Sequence, residues 1–332
     1  MDTFLQQLVN GLTLGCVYAV VALGYTMVYG IIQLINFAHG EVVMIGAMVA
    51  FSVITALAGS GVPPLMIVLL GVLAAIPVCM AVGYTAERVA YRPLRNAPRL
   101  APLITAIGVS IVLQHVALLV WGRNYISFPQ IIQTRSYHFT ASETSATITN
   151  VQIAIILLSV AMMAGLIALV YKTRIGIAMR ATSQNPQVAG LMGISIDRVI
   201  SFTFLIGAGL GAVAGVMVGS YYGIAHYQMG FLLGLKAFSA AVLGGIGNLG
   251  GAVVGGILIG LIEAFGAGYM GDVTNVCTLD KFLPGFSAAC EANANASLFG
   301  SSYKDVYAFL VLILVLVFRP SGLLGERVGD RA

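Results

Sequence analysis

Long apolar runs recur along this chain and limit it to one class of fold. They lie near residues 4–29, 35–58, 65–86, 101–121, 151–171, 199–222, 231–247, 250–270 and 306–318. A helix needs about 20 residues to cross the hydrocarbon core of a bilayer. The last run is shorter, and the pair within 231–270 is also compatible with a partly re-entrant path. With 59% hydrophobic residues, the 332-residue chain is predicted to be an all-α polytopic membrane bundle with eight or nine transmembrane helices and discontinuous or Gly-rich segments.

Basic residues indicate how the bundle is oriented. Eleven of the 16 Lys and Arg fall within 88–99, 172–198 and 319–331, which the positive-inside rule places in the cytoplasm. We therefore expect the loops 122–150 and 271–304, together with Met1, to lie outside. The polar stretches are too short to be separate soluble domains, so residues 1–332 are expected to form a single domain. No basic patch with interleaved aromatic residues indicates a nucleic-acid partner.

A polar break separates the first two apolar runs. Asn36, His39 and Glu41 lie there, in a chain with only 8% charged residues. Ionisable groups at membrane depth are costly and usually face the bundle interior or a wet cavity. Discontinuous helices in transporters tend to flank the substrate site. Asn36, Phe37, His39 and Glu41 are therefore predicted to border a translocation path.

A second polar group precedes a Gly-rich segment in the later half. Lys236, Phe238 and Ser239 lie just before the eight glycines of residues 244–260, and they are predicted to border the same path. Lys236 needs a charged partner or water, unless it extends toward an interface instead. Glu263 is interpreted as interfacial. The regular glycines of residues 207–219 favour close helix packing over a groove that lines the substrate path.

The cytoplasmic loop at 172–198 contains the pattern of a short helix. Asn185 is a suitable N-cap, Pro186 fits the first helical position, and Gly193 is a stop signal. An apolar stripe then lies outside the bilayer, and it either binds a protein partner or folds back onto the bundle. The chain has no GxxxxGK[ST] phosphate loop, so an ATPase would be another chain. The residues assigned to such coupling are Arg180, Asn185, Pro186, Val188, Leu191, Met192 and Gly193.

The four cysteines divide into two pairs. Cys16 and Cys79 lie in apolar runs and are expected to act as small hydrophobic residues. Cys277 and Cys290 lie in the outward loop, where an oxidising compartment permits a disulfide, although two unpaired thiols are the alternative. No spacing of Cys or His typical of a metal site occurs.

Four motifs resemble one known family over nearly the whole chain. These are GYTMVYG at 24–30, INFAHGE at 35–41, ERVAYRP at 87–93 and KAFSAAVLGGIG at 236–247. They resemble the LivH-type permease of bacterial branched-chain amino acid ABC importers. The resemblance implies a multi-pass inner-membrane subunit surrounded by lipid, which pairs with a second related permease. It also implies two cytoplasmic subunits that bind ATP and a periplasmic protein that delivers leucine, isoleucine or valine.

The resemblance assigns the 188–192 helix to ATPase coupling and places 36–41 and 236–238 beside the path. One departure is an insertion over much of residues 271–302, which bears on how the binding protein docks. Family members also move urea or short amides, so those substrates stay open. A secondary transporter coupled to protons through His39 or Glu41 is a further alternative. No Ser-His-Asp or Cys-His pairing indicates an enzyme, and we expect neither a catalytic site nor a cofactor in this chain.

Overall fold

α-Helices make up most of the chain in the computed structural model, which describes residues 2–33, 36–95, 97–98, 100–141, 144–275, 277, 298 and 303–325. The helices are α1 Asp2–Ile32, α2 His39–Leu57, α3 Pro64–Ala86, α4 Leu100–Trp121, α5 Asn150–Lys172, α6 Arg174–Gln184, α7 Pro186–Leu191, α8 Ile196–Tyr222, α9 Met229–Gly244, α10 Leu249–Val273 and α11 Lys304–Phe318. A π-helical turn, Glu87–Tyr91, and a 3₁₀ turn, Arg92–Leu94, extend α3.

The prediction of an all-α polytopic membrane bundle is confirmed. Seven described helices are long and apolar enough to span a membrane, namely Thr3–Ile32, His39–Leu57, Pro64–Leu94, Leu100–Trp121, Asn150–Lys172, Ile196–Tyr222 and Leu249–Gly271. The predicted count of eight or nine is not confirmed. The runs at 231–247 and 306–318 form α9 and α11, which have only 16 and 15 residues and are shorter than a usual span.

The core of the bundle forms around α1. Helix α1 packs against α5, α8, α9 and α10, and α2 packs against α3, α8 and α9. By contrast, α3, α4 and α5 bury only a minor part of their length. In a membrane, an apolar helix face that the protein leaves uncovered is solvated by lipid. The structure therefore has an inner group of largely buried helices and an outer group that exposes much apolar surface.

Two small antiparallel pairings lie in a region that the sequence analysis treats only as a loop. Strand β1, Ile126–Ser127, pairs with β4, Ile224–Ala225, while β2, Ser136–Ala141, pairs with β3, Thr144–Thr149. Ser136 lies opposite Thr149 in the β2–β3 register. β-Branched residues favour strands, and β3 is rich in threonine. Hydropathy scanning misses such a hairpin because its residues are polar.

The two ends of the bundle differ in chemistry. The backbone N–H of Thr147 in β3 donates to Gln6 Oε1 at 2.9 Å, so the start of α1 lies at the hairpin end. Arg92, Arg95 and Asp197 meet at the opposite end, called the basic end below. The start of α1 and strand β3 therefore lie at one end of the bundle, and the side of the membrane on which this end lies stays a prediction.

The glycines along α8 let neighbouring helices approach closely. Gly211 faces Val42 and Val43 of α2, and Gly219 faces the ring of Phe128. A Cβ added to Gly215 would collide with the Val43 carbonyl and lie 2.8 Å from the Ala47 backbone nitrogen. Small residues at a helix interface allow this backbone approach in lipid. These contacts support the packing interpretation of the glycine spacing.

Gly215→Ala and Gly209→Ala form a matched test of this packing. We expect Gly215→Ala to lower the free energy of unfolding by about 1–3 kcal/mol, because the methyl group must push α2 away. Gly209 has its nearest neighbour, Met80 Cε, 3.9 Å from the added Cβ. Gly209→Ala should therefore be neutral or slightly stabilising. Thermal unfolding in detergent checks the pair, and equal midpoints for both variants would contradict the packing account.

Candidate functional site

Helix α2 begins inside the bundle rather than at one of its ends. The ring of His39, its first residue, lies against α8, where a Cβ added to Gly207 or Gly211 would be 3.8 or 3.6 Å from His39 Cε1. Gly207 lies about 16 Å along α8 from its first residue, at 1.5 Å per residue. This position is near the middle of the 27-residue helix, so His39 lies near mid-depth of the bundle. The polar break predicted from Asn36 to Glu41 is thus the buried beginning of a helix.

The carboxylate of Glu41 links three helices. It is 0% exposed, and its Oε1 accepts hydrogen bonds from Ser110 Oγ at 3.0 Å and Gln114 Nε2 at 2.7 Å, both in α4. Its Oε2 faces the first turn of α9, where a Cβ on Gly230 would lie 2.6 Å away. Helix N-termini carry partial positive charge, which stabilises a carboxylate there. Glu41 therefore joins α2, α4 and the start of α9.

A narrow cleft lies between α1, the α1–α2 break and α9. Its lining residues are Tyr25, Thr26, Tyr29, Asn36, Phe238, Ala241 and Ile246. The cavity volume is about 10 Å³, which is the space of about one water molecule. The side chain of Asn36 is held by the Tyr91 hydroxyl, which donates to Asn36 Oδ1 at 2.7 Å. A cleft of this size admits no amino acid in this conformation.

The structure brings only some of the predicted path residues to the cleft. Asn36 and Phe238 line it. Phe37 packs on Phe238 with ring centroids 5.6 Å apart, and His39 meets the edge of Tyr25 at 4.9 Å, so both lie behind the lining. Glu41, Lys236 and Ser239 are buried elsewhere in the bundle.

Sequence reasoning missed five lining residues: Tyr25, Thr26, Tyr29, Ala241 and Ile246. All five lie in two of the motifs given above, GYTMVYG at 24–30 and KAFSAAVLGGIG at 236–247, and helical spacing was a second signal. Tyr25 and Tyr29 are separated by four residues and share a face of α1, and Phe238 and Ala241 share a face of α9 in the same way. This signal could show which residues lie together on a helix, but not which two helix faces meet.

Lys236 belongs to a buried ion cluster and not to the cleft. Its Nζ lies 2.9 Å from Glu263 Oε1 and 2.7 Å from Asp305 Oδ1. The Tyr18 hydroxyl donates to Glu263 Oε2 at 2.8 Å, and Lys304 Nζ lies 3.6 Å from Glu263 Oε1. Glu263 is only 1% exposed and pairs with Lys236, so it is buried within the protein, and its interfacial depth in the membrane stays a prediction. The cluster joins α1, α9, α10 and α11.

A second ion network connects α3 and α8 at the basic end. Glu87, in the π-helical turn, is buried, pairs with Arg95 and accepts a hydrogen bond from Ser201 Oγ at 2.8 Å. Arg95 and Arg92 both pair with Asp197 in the first turn of α8. π-Helical turns are rare and frequently occur at functional sites. This one turns both Glu87 and Tyr91 toward the interior.

Helix α7 has the position and caps that the sequence predicts. Asn185 Oδ1 accepts hydrogen bonds from the backbone N–H groups of Gln187 and Val188 at 3.0 and 3.1 Å. Leu191 is 87% exposed and Met192 is 79% exposed. In the described residues, this apolar stripe therefore does not fold back onto the bundle. Arg180 lies over the ring of Tyr171, with its Cζ 5.2 Å from the ring centroid.

The outer cysteines are only partly described. Cys277 is disulfide-bonded, but Cys290 lies outside the described residues, so the pairing of these two residues stays a prediction. Most of the predicted insertion at 271–302 also lies outside the described residues. Among the described residues, no group of three or more His, Cys, Asp and Glu side chains could hold a metal ion.

Membrane-spanning helices around a closed internal cleft, with a helix that starts at mid-depth, define the chain as a membrane permease. Residues 7–317 match the family model described as "Branched-chain amino acid transport system / permease component". The chain belongs to this family of permeases.

Named relatives align along almost the whole chain. It is 45% identical to the high-affinity branched-chain amino acid transport system permease protein BraD of Pseudomonas aeruginosa, over 97% of this chain and 96% of that protein. It is 42% identical to the high-affinity branched-chain amino acid transport system permease protein LivH of Escherichia coli, over 97% of this chain and 96% of that protein. A probable LivH permease of Methanocaldococcus jannaschii is 26% identical over 92% of this chain and 87% of its own. No solved structure matches.

The buried ion cluster can be tested by removing one partner. We expect Lys236→Met to lower the free energy of unfolding by about 3–5 kcal/mol, because Glu263 would be left buried without its main counter-charge. Replacing both residues, as Lys236→Met with Glu263→Gln, should recover much of this loss. Lys304→Met, at the exposed edge, should cost about 1 kcal/mol or less. Thermal unfolding in detergent measures the stability of all three variants. Lys236→Met with the stability of wild type would contradict the assignment.

Proposed function

We propose that this chain is the transmembrane subunit of an ATP-driven importer in a bacterial inner membrane, and that it moves leucine, isoleucine and valine into the cytoplasm. Two of its relatives, at 42 and 45% identity over 97% of the chain, are permease proteins of branched-chain amino acid transport systems. The closed cleft at mid-depth supports the proposal, because a translocation path must be sealed on at least one side at every stage.

The exposed apolar end of α7 is the observation that carries the proposal of an external energy source. Leu191 and Met192 are almost fully exposed at the basic end of the bundle. An apolar patch in water indicates a protein contact. The chain has no phosphate-binding loop of its own. We propose that two ATP-binding subunits supply the energy, that one of them binds α7, and that this chain itself has neither a catalytic site nor a bound cofactor.

The basic end supplies a route by which movement of α7 would reach the cleft. Residues 192–195 join α7 directly to α8, whose Asp197 pairs with Arg92 and Arg95. The adjacent π-helical turn carries Tyr91, which binds Asn36 in the cleft lining. Coupling between distant sites is carried by packed elements and ion networks of this kind. A shift of α7 would thus pull on the α1–α2 break through α8 and α3.

Other partners complete the proposed importer. A second, related permease would pack beside this chain, since an ABC importer has two membrane halves over two ATPases. A periplasmic binding protein would deliver the substrate, because the described outer loops are too small to capture an amino acid from dilute solution. Helices α3, α4 and α5 expose much apolar surface, which lipid or the second permease would cover.

Uptake by the reconstituted complex tests the proposed function. We expect proteoliposomes that contain this chain, the second permease, the two ATPases and the binding protein to accumulate leucine only with ATP and magnesium. Collapsing the proton gradient should leave uptake intact. Uptake that follows a pH gradient without the ATPase subunits would support a secondary transporter and contradict the proposal.

The α7 contact has a matched pair of variants. Leu191→Ser with Met192→Ser removes the apolar surface, and we expect binding of the ATPase subunit to weaken by about tenfold or more. Leu191→Ile with Met192→Leu keeps that surface and should bind like wild type. Co-purification at graded ATPase concentrations measures both, and equal affinity of the Ser and wild-type forms would exclude α7 as the contact.

The proposed route through Tyr91 predicts a coupling defect. Tyr91→Phe removes one hydrogen bond, worth about 1 kcal/mol, and should lower leucine uptake per ATP hydrolysed while ATPase binding stays normal. Tyr84→Phe is the control, since the Tyr84 hydroxyl accepts a hydrogen bond from Arg88 on the exposed side of the same helix. If both variants keep the wild-type ratio of uptake to hydrolysis, Tyr91 does not belong to the route.

A further inference from the structure

Thr26 is the first sign that the cleft binds a polar group. The residue is buried and lines the cleft, yet its Oγ1 makes no hydrogen bond among the described residues. A buried threonine in a helix ordinarily donates to the carbonyl four residues earlier. Thr13 and Thr203 do so, each at 2.8 Å. A hydroxyl left without a partner in a cleft is costly unless a ligand or water supplies one.

Asn36 presents a second polar group to the same space. The Tyr91 hydroxyl binds Asn36 Oδ1 and fixes the orientation of the amide. The other end of the amide, Nδ2, can donate two hydrogen bonds. Asn36 also lies three residues before His39, where α2 begins, and the N-terminus of that helix carries partial positive charge. Thr26 and Asn36 can therefore bind the polar head of a small molecule, with donors facing a carboxylate.

The remaining lining is apolar on the α9 side. Phe238 and Ala241 lie one turn apart on α9, and Ile246 follows after its end. These three residues provide a hydrocarbon wall opposite the polar groups of α1 and the break. Ala241 has the smallest side chain of the three. A larger residue at this position would reduce the space that the wall leaves for a ligand side chain. A branched aliphatic side chain fits such a wall.

The charge of the lining limits the ligand further. Among the described residues that line the cleft, none is ionised. The carboxylate of Glu41 lies outside the lining, where its Oε1 is bound by Ser110 and Gln114, and Lys236 is paired with Glu263. A ligand with a net charge would lose hydration here without a counter-charge. A zwitterion has no net charge, and hydroxyl, amide and helix dipoles can compensate its two ends.

We propose that this cleft is the substrate site for net-neutral aliphatic amino acids. Thr26 and Asn36 bind the amino acid head, and Phe238, Ala241 and Ile246 contact its side chain. The inference rests on the proposed import function and names the site at which substrate is recognised within the membrane. Ligand sites are usually about 300 Å³ or larger, so α1 and α9 must separate before the substrate enters.

Two variants test the two halves of the site in the reconstituted importer with a constant binding protein. Ala241→Val adds two methyl groups to the wall and should lower isoleucine and leucine uptake about tenfold, with a smaller effect on valine. Thr26→Val removes the hydroxyl and should lower uptake of all three about tenfold, without changing their ratios. Because the binding protein is the same throughout, a changed ratio must arise in the membrane subunit.

Thr203→Val is the matched control, because it removes a buried hydroxyl that binds its own helix. It should keep wild-type rates, and the thermal stability of every variant shows whether it is folded. An unchanged isoleucine-to-valine ratio in folded Ala241→Val would overturn the site, as would wild-type uptake by folded Thr26→Val. If the wild-type complex itself imports none of the three amino acids, the proposed function has failed as well.

Discussion

The structure depends on the break between α1 and α2, after which α2 begins inside the bundle and not at one of its ends. Lipid offers no hydrogen bonds, so every backbone group freed by such a break must find a partner in the protein. Here the backbone N–H groups of His39 and Glu41 bind the carbonyls of Asn36 and Ala38, and Tyr91 binds the Asn36 side chain. Residues 36 and 38–41 of the break are buried among the inner helices, which protects these hydrogen bonds. The same enclosure leaves a few polar side chains facing a small internal cleft.

Close helix approach and ion pairing hold the helices around this break. Gly40 lies against Gly230 and Gly234 of α9, where any side chain would collide with backbone. The two buried ion networks lie outside the cleft lining, one around Lys236 and one around Glu87. These ion pairs connect helices and do not line the cleft. The chemistry of the cleft is therefore set by neutral dipoles and hydrocarbon. This separation explains how a bundle with buried charges can handle a molecule of no net charge.

Hydropathy and helix caps were sufficient to predict much of the fold. The apolar runs became helices, Asn185 and Pro186 begin α7, and the break lies where Asn36 and His39 interrupt the pattern. The span count was less certain because α9 and α11 are shorter than a usual span. The β2–β3 hairpin was missed because hydropathy does not detect polar strands.

The candidate site was predicted only in part, because its assembly depends on tertiary contacts. The partners of Lys236 are Glu263 and Asp305, which lie far along the chain on other helices, and no local pattern identifies them. For the same reason, the sequence predicts Lys236 beside the path but not its ion pairs with Glu263 and Asp305, and its place on the path stays a prediction. Thr26 lies in the GYTMVYG motif at 24–30, but the motif alone does not show that its hydroxyl faces a cleft. Its role emerges only once its missing hydrogen bond and its position in the cleft are known.

The position of bound substrate in the assembled importer tests the central claim most directly. A cryo-electron microscopy structure of the complex, trapped with leucine, would locate the amino acid relative to the α1–α2 break. The account predicts density between Thr26 and Phe238, with α1 and α9 moved apart. Density on a path outside this cleft, with α1 and α9 still packed together, would contradict it.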